Sequence, residues 1–298
     1  MTPRPTKQPR TSGNPATGRD LQRLWLRSPF VALVLLLIVV PNADAETPRG
    51  QVLRRTYDFK AAGRQMEYAL YVPRNPAPAS GSPLIVALHG FLSNPQQIIR
   101  YPGFTAAAEK HGYLIVAPMG FNARGWYGSQ GAGNQLPGAG FRGDPRNLGA
   151  LSERDVMNVL ALIRREFRID PNRIYLLGHS MGGGGAVYLA TKYPHIWAAT
   201  APIAPALMGK THPLENARHI PSLVIQGDRD ILVPVAGTRR LIRHMKQLGI
   251  THQYIEVRGG DHLFIAFRYF REIFAFFNRS PRKRAEAPPE PALPGVES

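Results

Sequence analysis

The chain contains no cysteine. That absence removes disulfides, a thiol nucleophile, cysteine-based zinc sites and iron–sulfur clusters in one step. Acidic residues are few: 20 Asp and Glu stand against 37 Lys and Arg, for a formal net charge of +17. The excess is scattered as singles and pairs such as Arg54-Arg55, Arg164-Arg165 and Arg239-Arg240, without interleaved aromatics, so no nucleic-acid partner is expected. A surface that binds anionic polymers by charge alone is the weaker reading of the same balance. Long apolar runs are also missing. The longest is Phe30 to Val40, "FVALVLLLIVV", with 11 residues. As a helix it would span about 16 Å at ~1.5 Å per residue, well short of a hydrocarbon core roughly 30 Å thick. No Arg-Arg pair precedes it, so a twin-arginine signal is not supported.

What stands at the N-terminus has a recognisable order. Six basic residues from Arg4 to Arg27 come first, then the apolar run, then Pro41 and the small-x-small triplet Ala43-Asp44-Ala45. This predicts a signal peptide over 1–45, cleavage near Ala45, and export to the periplasm or beyond. A retained N-terminal membrane anchor is the alternative; otherwise the membrane is met only transiently through this segment. Residues 279–298, charged and proline-rich, predict a disordered C-terminal tail. The 44% of apolar residues is ample for a core in the region between.

Along residues 46–278, strand-like and helix-like stretches alternate. Gln51–Phe59 and Gln65–Val72 flank "KAAGR" and predict an opening antiparallel hairpin. Short continuous apolar runs follow at Leu84–His89, Tyr113–Ala117, Ile174–Leu177, Trp197–Ala201, Ser222–Gln226 and Thr251–Val257, as in strands buried on both faces. Helical spacing marks Phe104–His111, Gly182–Tyr193, Val235–Leu248, one closing helix over Leu263–Asn278, and Ser152–Phe167 with Ser152 as N-cap and Asp155 in its first turn. The predicted fold is α/β: a mostly parallel central sheet with an N-terminal antiparallel hairpin and helices on both faces. Gly120–Gly149, with nine glycines and the pair Trp126-Tyr127, is too long for an idle loop, and residues 203–219 read as an insertion.

In such sheets the reactive groups gather beyond the carboxyl ends of the strands. After Leu177 comes Gly178-His179-Ser180-Met181-Gly182. A serine on a sharp strand-to-helix turn needs small residues two before and two after, because strand and helix nearly collide there. The turn lifts the hydroxyl out of the sheet and aims the Met181 amide at the same space, where it can stabilise an oxyanion. The rival reading, a phosphate-binding loop, needs a Gly-Lys-Ser/Thr ending that the glycine run lacks. A serine needs a base and the base an orienting acid. "GGDHLF" after Val257 supplies His262, and "GDRDILVP" after Gln226 supplies Asp230, with Asp228 as the competing acid. Asp261, His89 and His179 read as turn-shaping neighbours. "LIVALHGF" supplies the second oxyanion donor, the amide of Phe91. Trp126 and Tyr127 have two readings, substrate-binding wall and local packing.

Together "LHGF", "GHSMGG", "GDRDILVP" and "GGDH" resemble the α/β-hydrolase superfamily. The run from "DVMNVLALIRREFRID" through "APIAPA" is similar to secreted esterases, polyhydroxybutyrate-depolymerase-like enzymes and prolyl-oligopeptidase-like hydrolases. The resemblance implies Ser180 as nucleophile, Asp230 as acid and His262 as base, working on small or polymeric carboxylic esters through an acyl-enzyme. No metal or organic cofactor is expected. A departure is "QGDRD" where His-Gly is commoner. A serine peptidase and a non-catalytic binding protein on the same scaffold are the other readings. The sequence carries no indication of oligomeric state.

Overall fold

The β-branched and leucine-rich runs at the centre of the sheet become strands because both their faces find helices to cover them, whereas the two edge strands, Val52–Phe59 and His252–Val257, are only partly covered. The computed structural model describes residues 47–75, 78–133, 143–207 and 213–282. All of these fall within Glu46–Ser298, the larger of two units in the chain. Residues 1–45, expected to form a signal peptide cleaved near Ala45, and the part of the expected tail beyond residue 282 lie outside the described residues.

The chain opens with β1 (Val52–Phe59) and β2 (Arg64–Tyr71), then β3 (Ser82–Leu88). Next come α1 (Pro95–Ile98), α2 (Phe104–His111), β4 (Leu114–Pro118), α3 (Leu148–Glu166), β5 (Ile169–His179) and α4 (Met181–Lys192). The last part is β6 (Ala199–Ile203), β7 (Ser222–Gly227), α5 (Val235–Gln247), β8 (His252–Val257), α6 (Ile265–Arg268) and α7 (Phe270–Asn278). The eight strands form one sheet in the order β1-β2-β4-β3-β5-β6-β7-β8. The β1–β2 and β2–β4 pairs are antiparallel, and every later pair is parallel. The hairpin closes through a short 3-10 turn at Lys60–Ala62, where Gly63 takes φ 61°.

Alternation along the buried strands splits the core in two. Leu84, Val86 and Leu88 face one side, with α3 and α4 supplying Val156, Leu160, Ile163 and Leu189. Ile85 and Ala87 face the other, against Phe104 of α2 and Ile273, Phe274 and Phe277 of α7. The helix α5 packs on Val224 through Leu241 and Met245. After β3 the chain steps to β4 on one side, then returns to β5 on the other. The exits of β3 and β5 therefore straddle the reversal of strand order, where a crevice opens in sheets of this kind.

Two expected helices are corrected. Helix α3 starts at Leu148, a full turn before Ser152, so Ser152 lies inside the helix. Its hydroxyl accepts from the Tyr127 amide at 3.0 Å instead of capping its own helix. Asp155 is likewise turned away from the first turn: it accepts from the Gly120 amide at 2.7 Å and the Tyr57 hydroxyl at 2.6 Å. The expected closing helix is two, α6 and α7, broken at Tyr269, whose φ of −117° is not helical. Of the segment expected as a tail, residues 279–282 are described, and the Arg282 amide donates to the Asn172 carbonyl at 2.8 Å.

Candidate active site

Ser180 follows the last residue of β5 and precedes the first of α4, with φ 59° and ψ −118°. A positive φ is costly for a residue with a side chain. The turn is held from both sides: the Ser180 amide donates to the Ile203 carbonyl at 2.9 Å, and its carbonyl accepts from Gly184 at 3.1 Å and Ala206 at 3.0 Å. Clearance makes the turn possible. A side chain on Gly178 would collide with the Gly182 carbonyl, and one on Gly182 with the Leu88 carbonyl. The first amides of α4, Met181's among them, have no partner inside the helix and face the turn with the positive end of its dipole.

Asp230 and His262 come from the exits of β7 and β8. The His262 Nδ1–H donates to Asp230 Oδ2 at 2.7 Å. Both residues are more than nine-tenths buried. Asp230 Oδ1 accepts the amides of Leu232 and Val233, at 2.9 and 2.8 Å. Gln226 Nε2 donates to Asp230 Oδ2 at 3.0 Å, and Thr238 in turn donates to Gln226 Oε1 at 2.8 Å. The competing acid, Asp228, instead accepts the Gly259 amide at 2.6 Å and ties the two strand exits together. Asp261 accepts the amides of Leu263 and Phe264, each at 2.8 Å, and shapes the turn after His262.

Gln226 was not among the expected site residues. Its signal was a wholly buried glutamine ending the apolar run "SLVIQ", a polar group that must find partners. His89, read as turn-shaping, is fully buried between the carbonyls of Gly90 and Met119, each at 2.8 Å. Burial lowers its pKa. His179 does more than shape a turn. Its Nε2 donates to the His262 carbonyl at 2.9 Å, and its Nδ1 accepts from the Tyr101 hydroxyl at 3.0 Å.

Ser180 and His262 open into one cleft of about 720 Å³, walled among others by Phe91, Tyr101, Trp126, Leu232 and Phe267. Gly90 packs so close that a Cβ there would stand 3.4 Å from the Cβ of Ser180. The next amide, that of Phe91, makes no backbone hydrogen bond among the described residues. Phe91 leans on Trp126 with ring centroids 6.1 Å apart. Trp126 and Tyr127 both take positive φ, 56° and 53°, but their side chains part company. Trp126 reaches the cleft wall, whereas Tyr127 is fully buried and donates to the His89 carbonyl at 3.1 Å. The substrate-binding reading of Tyr127 is therefore corrected: its ring fills the space above Gly120 and Gly185, leaving none for a ligand.

No Lys, Arg, Asp or Glu lines the cleft among the described residues. Among the described residues, six large apolar side chains stand exposed around the strand exits: Phe91, Leu92, Ile231, Leu232, Leu263 and Phe264. No group of three or more His, Asp or Glu is placed to hold a metal ion among the described residues.

Comparisons with known proteins bear on the family and the fold. The chain is 31% identical over 201 residues to "Putative esterase NocK" of Nocardia uniformis subsp. tsuyamanensis, covering 66% of this chain and 52% of that one. It is 34% identical over 150 residues to the S-formylglutathione hydrolase of Rattus norvegicus, covering 47% of this chain and 52% of the other. The chain thus spans about half the length of these curated relatives. The crystal structure of a thermostable esterase superposes with a TM-score of 0.57 at 24% identity, covering 78% of this chain and 63% of that chain. That likeness bears on the fold, an α/β-hydrolase. The family model described as "Putative esterase" matches residues 60–253, which include Ser180 and Asp230 and stop short of His262. The match spans well over half of the 298 residues, and the chain belongs to this esterase family.

Proposed function

We propose that the protein is a serine hydrolase that cleaves uncharged carboxylic esters. The observation that carries the reading is His262, hydrogen-bonded to Asp230 behind it, lining the same cleft as a serine on a strained turn. His262 takes the Ser180 proton through Nε2 as Oγ attacks the ester carbonyl. Asp230, held by two amides and Gln226, fixes the imidazole so that Nδ1 carries its proton and the imidazolium is stabilised as it forms. The amides of Phe91 and Met181 receive the oxyanion. The alcohol leaves with the proton from His262, and water activated by the same base releases the acid from the acyl-enzyme.

The cleft's lack of charge bears on the substrate. A glutathione thioester brings two carboxylates and an ammonium group, and the described lining offers no opposite charge to receive them. A neutral acyl group against Phe91 and Trp126 loses nothing by leaving water. A second reading, hydrolysis at the surface of a solid polyester, is favoured by the exposed apolar ring, because such side chains are normally few on a soluble surface.

The test compares an uncharged 4-nitrophenyl butyrate with S-formylglutathione and an aryl anilide. The expected result is turnover of the butyrate with kcat/KM at least about 100-fold above the other two, and a loss of about 10⁵-fold or more in kcat in Ser180→Ala with folding intact. Full activity in Ser180→Ala overturns the assignment. Preference for S-formylglutathione overturns the substrate class, and anilide turnover at ester rates points to a peptidase.

A further inference from the structure

Resting on that reading, we propose that His179 is a positioning residue: from the strand that carries the nucleophile, it holds the backbone of the base His262. His179 is the last residue of β5, immediately before Ser180. A carbonyl oxygen only accepts, so the 2.9 Å contact with the His262 carbonyl places the proton of His179 on Nε2. Nδ1 is then a lone pair, and the Tyr101 hydroxyl donates to it at 3.0 Å. Burial first, and the neighbouring His262 second, lower the His179 pKa to about 4, so the ring is neutral at ordinary pH and has only the one proton to give. The tautomer is thus fixed from both ends.

The His262 loop needs such an anchor. It begins at Gly259, with φ 69°, and ends in the Asp261 turn. Its other hydrogen bonds among the described residues run to the exit of β7, through Asp228, Arg229 and Asp230, or close within the loop itself. The His179 bond is the one that reaches β5. It links base to nucleophile by a path that does not pass through the reacting atoms. The two imidazoles also lie against each other, with centroids 4.9 Å apart and planes tilted by 34°. Behind them Tyr101 packs edge-on against Phe267 at 4.9 Å, so Tyr101, a cleft residue, braces the same contact. Proton transfer requires the base nitrogen within hydrogen-bond reach of the serine oxygen. A displacement of about 1 Å costs on the order of 100-fold in rate.

The full chain is assayed as His179→Leu, His179→Gln, His179→Asn and Tyr101→Phe on a soluble 4-nitrophenyl ester, with thermal unfolding as the control. His179→Leu is expected to lower kcat by about 100-fold with KM within about threefold. His179→Gln, whose amide nitrogen reaches the place of Nε2, restores most of that loss, whereas His179→Asn, one bond shorter, does not. Tyr101→Phe lowers kcat by a smaller factor and keeps the fold even where His179→Leu does not. A second readout needs no substrate: the downfield proton NMR signal of the His262 Nδ1–Asp230 bond is sharp in the parent and in His179→Gln, and broadened or lost in His179→Leu. Unchanged kcat and an unchanged signal in His179→Leu overturn the proposal. So does a rise in KM at constant kcat, which makes His179 a substrate contact, or an equal loss in the Gln and Leu variants. If the parent chain turns over no ester, the hydrolase reading fails by itself, and the NMR comparison still decides the role of His179.

Discussion

Asp228 and Asp230 stand two residues apart and have separate work. Asp230 turns both carboxylate oxygens inward, onto two amides, Gln226 and His262. Asp228 spends its carboxylate on the Gly259 amide. Asp230→Asn should therefore lower kcat by about 10⁴-fold, because the imidazole loses its preferred tautomer. Asp228→Asn should leave kcat within about threefold, since its bond only closes a turn between exposed loops. Steady-state rates on a chromogenic ester decide it, and the opposite ranking moves the acid to Asp228. The two carboxylates were legible as candidates because both follow a strand. Gln226 was not, because its role depends on Asp230 and Thr238, which only the turn after β7 brings around it.

Among the elements, α4 is crowded at its start. Its four consecutive glycines, Gly182 to Gly185, sit in the first turn and a half of the helix, where alanine is favoured by about 1 kcal/mol each. Crowding explains them. A side chain on Gly184 would collide with the Ala206 carbonyl, and one on Gly185 would enter the Tyr127 ring. Gly184→Ala should destabilise, since overpacking of about 1–3 kcal/mol outweighs the gain in helix propensity. Because Ala206 lines the cleft, the same change should also lower kcat/KM. Differential scanning calorimetry should show Tm down by a few degrees, about 2–4 °C per kcal/mol for a domain of this size. A higher Tm with unchanged kinetics would show that the loop yields. The elbow glycines were readable from spacing alone, since strand, serine and helix are contiguous. The partners of Gly184 and Gly185 were not, for they arrive from distant loops. The start of α3 failed for the same reason. Ser152 has the composition of a cap, but Tyr127 claims its hydroxyl.

At the scale of the whole molecule, Asp155, a buried carboxyl that does not line the cleft, should make stability depend on pH. Burial raises the Asp155 pKa from 3.8 to about 6, against the lowering effect of its bonds to Tyr57, Gly120 and Phe121. In the folded chain Asp155 therefore holds its proton more tightly than in the unfolded chain. Stability from this group is fully present below about pH 4 and declines as pH rises through about 6. A shift of this size corresponds to about 3 kcal/mol. Asp155→Asn keeps an acceptor for Gly120 and offers Tyr57 a donor, without the titration. Urea unfolding at pH 4 and pH 6.5 should show the parent losing stability relative to Asp155→Asn across that interval. A constant difference between the two proteins would remove Asp155 as the source.

The parallel sheet and the position of Ser180 at the turn between β5 and α4 were legible because buried strands and a contiguous strand-serine-helix sequence both leave continuous signatures. The ring of exposed apolar residues was not, because Phe264 in the sequence looks like one more member of an amphipathic helix. Its placement has a genetic side. Ile231 and Leu232 directly follow Asp230, and Leu263 and Phe264 directly follow His262. A recombination event that exchanges either strand-exit segment with a relative transfers one member of the hydrogen-bonded Asp230–His262 pair and its apolar neighbours as one heritable parcel. On the proposed reading, shuffled descendants of this chain would inherit the exposed apolar surface together with the acid or the base beside it.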